Sequence, residues 1–126
     1  MKILVIDDQA GTERKPIFEE ALRGHEVRYL TYYPSTQNSI FTDYDVISWD
    51  NDLGATRDVL FHLSRIFWQN QALFNVLFCD KIHLIHSANP VAAHRLQSMF
   101  ESIGAKAVQI PIGSYSSDQV NRNLTL

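Results

Sequence analysis

The sequence predicts an α/β protein built on a single doubly wound, five-stranded parallel sheet. Two observations carry this expectation. Short β-branched runs alternate with stretches of helical apolar spacing along the whole chain, 1–126. The 126 residues are 45% hydrophobic and 20% charged, values typical of one soluble domain. A domain of this size buries roughly two thirds of its unfolded surface, enough for a real core.

The elements follow in order. Ile3-Leu4-Val5-Ile6 is a continuous apolar run, as expected of a strand buried on both faces, and it stops at Asp7-Asp8. Gly11 and Thr12 mark a loop, with Thr12 placed to cap a helix over 14–23. Ile17, Phe18, Ala21 and Leu22 form that helix's inner face, Pro16 fits its first turn and Gly24 its stop. A second strand spans 25–30, and a short helix is expected over 35–41. The third strand, 45–49, ends at Asp50, and the loop after it turns at Gly54. The longest helix is predicted from Arg57 to about residue 75, with Val59, Leu60, Leu63, Ile66 and Phe67 on one side. The fourth strand, 81–85, ends at His86-Ser87. Pro90 then opens a helix that buries Ala93, Leu96, Met99, Phe100 and Ile103 and closes at Gly104. A fifth strand covers 107–110, and the tail from Ser116 holds a short, weak final helix.

Composition sets the outer limits on function. The single cysteine, Cys79, excludes an intrachain disulfide and a Cys-rich zinc site, and is expected to be a buried, inert thiol. A net charge of −3 argues against broad binding to duplex DNA, leaving a local site for a nucleotide or an RNA end. The opening apolar run is too short and too quickly acidic for a secretory signal, and no stretch is long enough to span a bilayer. The expected location is cytoplasmic, with no membrane contact.

In a parallel sheet, ligands bind beyond the carboxyl ends of the strands, where the winding direction reverses. That rule gathers Asp7, Asp8 and Asp50, with Asp52 two residues on, at one edge. Carboxylates so close repel unless a cation neutralises them, and Mg2+ or Mn2+ is the natural partner of hard oxygen donors. Asp52 fits a metal role or a loop-capping role. His86 stands at the same edge as a candidate general acid or base. Ser87, Asn89 and the helix start at Pro90 offer groups for a phosphate; ordinary capping is the competing role for both side chains. Arg57 is placed to reach a phosphate or to form a surface ion pair. His83 faces away from His86 and is expected to be packed; His25, His62 and His94 are expected at the surface. Trp49 and Trp68 read as core or lid residues, with Trp49 near enough to the site to stack on a base.

The Asp7-Asp8 and Asp50 strand ends resemble the receiver domain of bacterial response regulators over almost the whole chain. The resemblance implies a receiver- or flavodoxin-like (βα)5 fold with a truncated last helix, Mg2+ on the paired acids and phosphorylation of Asp50. This chain has His86 where receivers carry Ser or Thr, and Ile110 where they carry a Lys before the proline. Asp7-Asp8, Asp50-Asn51-Asp52-Leu53-Gly54 and His86-Ser87-Ala88-Asn89-Pro90 together resemble, more closely, a receiver-like family proposed to process cyclic phosphates. That family is associated with RNA repair and nucleotide signalling; it usually has His where this chain has Asn51.

The leading expectation is a metal-dependent phosphoesterase acting on a cyclic or terminal phosphate of a nucleotide or RNA end. Asp7, Asp8, Asp50 and Asp52 would hold the metal, His86 and Asp50 would be catalytic, and Ser87, Asn89 and Arg57 would bind phosphate. The alternatives are a signalling receiver phosphorylated on Asp50 and a non-catalytic module binding a phosphorylated ligand or a partner. A short last helix would leave one sheet face thinly covered, which points to a homodimer.

Overall fold

The computed structural model of the chain describes residues 1–125. Five parallel strands, β1 (Lys2–Ile6), β2 (Glu26–Leu30), β3 (Val46–Trp49), β4 (Ile82–Ile85) and β5 (Lys106–Gln109), form one sheet in the order β2-β1-β3-β4-β5. The predicted doubly wound α/β architecture is therefore present. The helices are α1 (Lys15–Ala21), α2 (Val59–Gln69), α3 (Gln71–Phe78), α4 (Pro90–Ser102) and α5 (Ser117–Arg122), with 3-10 turns at Asn38–Asp43 and Ile112–Ser114.

Strand alternation divides the interior into two layers. Ile3, Val5, Val46, Ile82 and Leu84 point to the side covered by α1 and α5, where Phe18, Tyr115, Val120 and Leu124 close the layer. Leu4, Ile6, Ile47, Trp49 and Ile85 point to the other side, against Leu63, Phe74, Phe78, Leu96 and Phe100 of α2, α3 and α4. The three central strands carry no exposed residue from Ile3 to Ile6, Val46 to Trp49 or Ile82 to Ile85, as double coverage requires. The layer under the short α5 is closed by buried Tyr115, Val120 and Leu124, so the thin coverage expected there is absent among the described residues.

Helix α2 departs from expectation. Its N-cap is Asp58, whose side chain accepts from the Phe61 amide, so Arg57 lies outside it. The single long helix predicted to about residue 75 is broken at Asn70, with φ −152° and ψ 78°. Asn70 accepts from the Leu73 amide, so it ends α2 and caps α3; its short polar side chain competes with the helical backbone. Helical pairing then resumes and extends to Phe78. Trp68, just before the break, is 81% exposed and is not a core residue. Cys79, beyond the end of α3, is exposed rather than buried because Leu77 and Phe78 take the inward positions.

His83 is packed as expected. It is fully buried, accepts a hydrogen bond from Trp49 Nε1 at 3.0 Å and stacks on Phe100 with ring centroids 3.7 Å apart. Burial pushes its pKa down from 6.5 to about 3. Between these values the unfolded chain binds a proton that the folded chain does not. Stability is therefore expected to fall by about 1.4 kcal/mol per pH unit as the pH drops below the ordinary histidine value. Urea unfolding at neutral and mildly acidic pH should show this component in the parent and lose it in His83→Gln, whose amide can serve both hydrogen-bond partners.

Candidate functional site

Strand register builds the site. Ile6 pairs with Trp49, and Trp49 with Ile85, so Asp7, Asp50 and His86 follow their strands in one row. The ladder continues through this row: Asp50 N donates to Ile6 O and His86 N to Trp49 O, both at 2.9 Å. Alternation then turns all three side chains toward the α1 side of the sheet.

Arg14, in the turn before α1, joins the two carboxylates. Its Nη1 donates to Asp7 Oδ2 at 2.8 Å and to Asp50 Oδ2 at 3.1 Å. Asp7 also accepts from Gln9 N at 2.7 Å and from His86 Nε2 at 2.9 Å. Burial opposes ionisation of Asp7, but the hydrogen bonds from His86 and Arg14 outweigh it and hold the carboxyl below its usual range. Asp50 is shifted the other way. Burial first, then the neighbouring Asp7 charge, raises its pKa, although His86, Arg14 and the Asn51 amide oppose the rise. Asp8 is raised by burial and by Asp7. The two adjacent carboxylates are thus shifted in opposite directions, Asp7 down and Asp50 up.

His86 does not face the cleft. It is fully buried, with Nε2 on Asp7 and Nδ1 2.8 Å from Ser48 Oγ, which lies 2.8 Å from Tyr115 Oη. A carboxylate only accepts, so Nε2 donates to it. In the neutral ring, Ser48 then donates to Nδ1 and Tyr115 to Ser48. Phe18 and Tyr115 pack edge-on against the ring at 5.2 and 5.5 Å. His86, expected to face the cleft as a direct acid or base, instead lies buried behind Asp7 and outside the cleft lining.

The cleft above this row has a volume of about 660 Å3. Asp8, Gln9, Arg14, Asp50, Asp52, Asp58, Ser87 and Asn89 are among the residues that line it. Ser87 Oγ accepts from Asn89 N, while Asn89 Oδ1 accepts from the Val91 and Ala92 amides. Both border the cleft; Asn89 caps α4 and Ser87 braces that cap, so the first amides of the helix are already engaged. Asp52 accepts from Gly54 N in the β3–α2 loop. Arg57 is outside the cleft lining, and its guanidinium lies over the Phe61 ring at 4.7 Å, which corrects its expected reach to a phosphate. Trp49 is fully buried and cannot stack on a base. Asn51 is structural: its Oδ1 accepts from Leu60 N and its carbonyl from Val59 N, tying α2 to the residue after Asp50. Gly54 has φ +71°, and a Cβ there would lie 2.9 Å from Asp8 Oδ2, so the loop passes directly against that carboxylate.

Asp7, Asp8 and Asp50 each offer an oxygen, all within 4.8 Å of one another. Three hard donors of this kind suit Mg2+ or Mn2+. Two of the three residues are also those held by Arg14, which already supplies a positive charge at the same place.

No protein-family model and no curated protein matches the chain. Similarity is found among solved structures. A response regulator protein from Burkholderia pseudomallei, with a phosphorylated aspartic acid, a calcium ion and citrate, aligns at TM-score 0.56 and 22% identity, over 98% of this chain and 66% of that one. The response regulator domain of Thermotoga maritima CheB aligns at TM-score 0.55 and 15% identity, over 100% of this chain and 97% of that one. The receiver domain of Francisella response regulator 1452 aligns at TM-score 0.52 and 17% identity, over 98% and 92%. The fold is thus receiver-like, as the strand order already indicates. No helix is long and apolar enough to cross a membrane among the described residues.

Removing the bridging cation should leave two adjacent carboxylates uncompensated. Arg14→Met is expected to lower stability by about 3 kcal/mol. Asp50→Asn should raise stability by on the order of 1 kcal/mol, because the fold disfavours its charged form. The double variant should recover most of the Arg14→Met loss, a coupling that denaturant unfolding of the four proteins measures.

Proposed function

We propose that this chain is a receiver-type signalling domain in which Asp50 accepts a phosphoryl group from a small phosphodonor. The observation that carries the reading is the placement of Asp50: it borders the open cleft, with Asp7 and Asp8 beside it and Arg14 on its Oδ2. A carboxylate oxygen of Asp50 attacks phosphorus, the bond from phosphorus to the donor oxygen breaks, and the leaving group departs with its electron pair. Arg14 is positioned to pair with the phosphoryl oxygens gained by Asp50, a cationic role for which Ile110 has no chemistry. Asp7, Asp8 and Asp50 would hold Mg2+, which when bound supplies charge neutralisation for the transferring group. His86 and Ser48 fix Asp7 from behind and keep water from that side.

A second reading is favoured by the size of the cleft. Its 660 Å3 exceeds the needs of one phosphoryl group and falls in the range of small-ligand sites, about 300–1,000 Å3. A phosphoesterase acting on a cyclic or terminal phosphate of a nucleotide or RNA end would use that space. The motifs that resemble the cyclic-phosphate-processing family support it; the structural neighbours do not bear on it. With His86 buried, water activation would fall to Asp50.

Acetyl phosphate with Mg2+, followed by intact-mass detection, tests the first reading. The expected result is a gain of one phosphoryl group in the parent and none in Asp50→Asn. Absence of the adduct, together with Asp50-dependent turnover of 2′,3′-cyclic nucleotides with Mn2+ in phosphorus NMR, would replace it with the second.

A further inference from the structure

Every oxygen of Asp7 and Asp50 already accepts a hydrogen bond. Asp7 Oδ1 accepts from Gln9 N at 2.7 Å. Asp7 Oδ2 accepts twice, from His86 Nε2 at 2.9 Å and from Arg14 Nη1 at 2.8 Å. Asp50 Oδ1 accepts from Asn51 N at 2.8 Å, and Asp50 Oδ2 from Arg14 Nη1 at 3.1 Å. A carboxylate oxygen has two lone pairs, so Asp7 Oδ2 has none left. A divalent cation that takes this oxygen must displace one of its two donors. A cation on the remaining oxygens would still meet the guanidinium at short range, and like charges oppose each other there.

The two donors differ in their freedom to leave. The His86 side chain is fully buried, bonded to Ser48 on its other nitrogen and packed by Phe18 and Tyr115. The Arg14 side chain is 16% exposed and lines the cleft. It holds both acids through the single nitrogen Nη1, without the bidentate fork that makes such pairs strong. Its backbone is anchored separately: its amide donates to Gln9 O, and its carbonyl accepts from Phe18 N. The side chain can therefore swing into the cleft while the turn stays intact. We propose that Arg14 is a built-in competitor of the divalent cation at Asp7 and Asp50: it weakens metal binding there and exchanges places with the metal. The proposal rests on the cation site of the receiver reading, and not on its phosphoryl transfer. The exchange would free the same guanidinium that the receiver reading assigns to the phosphoryl oxygens.

The test uses the whole chain, labelled with 15N and titrated with Mg2+. In the parent, the amides of Asp8 and Asn51 should shift saturably, and the Arg14 Nε–H signal should move over the same range of Mg2+. Arg14→Gln and Arg57→Gln are titrated beside it; each removes one positive charge, but Arg57 lies outside the cleft lining. Mg2+ should bind at least about tenfold more tightly to Arg14→Gln, and within about twofold of the parent to Arg57→Gln. The proposal is overturned by an Arg14 signal that stays in place while the Asp8 and Asn51 amides saturate, or by no saturable Mg2+ binding to the parent. Unchanged or weaker affinity in Arg14→Gln, or an equal gain in both variants, overturns it too. The parent titration decides alone should Arg14→Gln not fold. No phosphodonor is present, so failure here leaves the Asp50 adduct to its own test, and absence of that adduct leaves this result standing.

Discussion

One electrostatic constraint governs the functional edge of this molecule: two carboxylates that end adjacent parallel strands must share a cation. Asp7 and Asp50 are brought together by backbone register, which no side-chain preference can relax without breaking the sheet. Arg14 resolves the conflict by touching both. The turn between β1 and α1 is therefore fixed by charge as well as by its backbone bonds to Gln9.

The asymmetry between the two acids follows from what stands behind each. Asp7 has a buried imidazole and a backbone amide in addition to Arg14, so its charge is well satisfied. Asp50 has Arg14 and one amide, faces the cleft and feels Asp7. The better-satisfied acid therefore lies behind the less satisfied one, and it is Asp50 that borders the cleft. The proposed phosphoryl transfer would draw on the same groups: a carboxylate, a guanidinium and donors fit for a hard cation.

Much of this was legible in the sequence because strand runs ending in Asp7-Asp8, Asp50 and His86-Ser87 are short and strongly apolar. Parallel pairing then forces their ends together, so the residue set follows from fold class alone. The role of His86 was not legible, because spacing places a residue at an edge without saying which side of its neighbour it occupies. Arg14 was missed for a related reason: it lies seven positions beyond Asp7 across a turn, and no periodicity reports on a turn. Ser48 did leave a signal as the one hydroxyl in the Val46–Trp49 run, and its buried bonds to His86 and Tyr115 explain it. The break at Asn70 escaped because the apolar spacing continues through it, whereas the side-chain cap that interrupts the helix is local.

The two tryptophans occupy opposite extremes of the fold. Trp49 has no exposed surface and lies on the strand that delivers Asp50, whereas Trp68 is 81% exposed on α2. Their fluorescence therefore separates interior from surface without any added label. A water-borne collisional quencher reaches Trp68 in the native state and leaves Trp49 dark to it, so loss of that shielding reports the opening of the sheet centre itself.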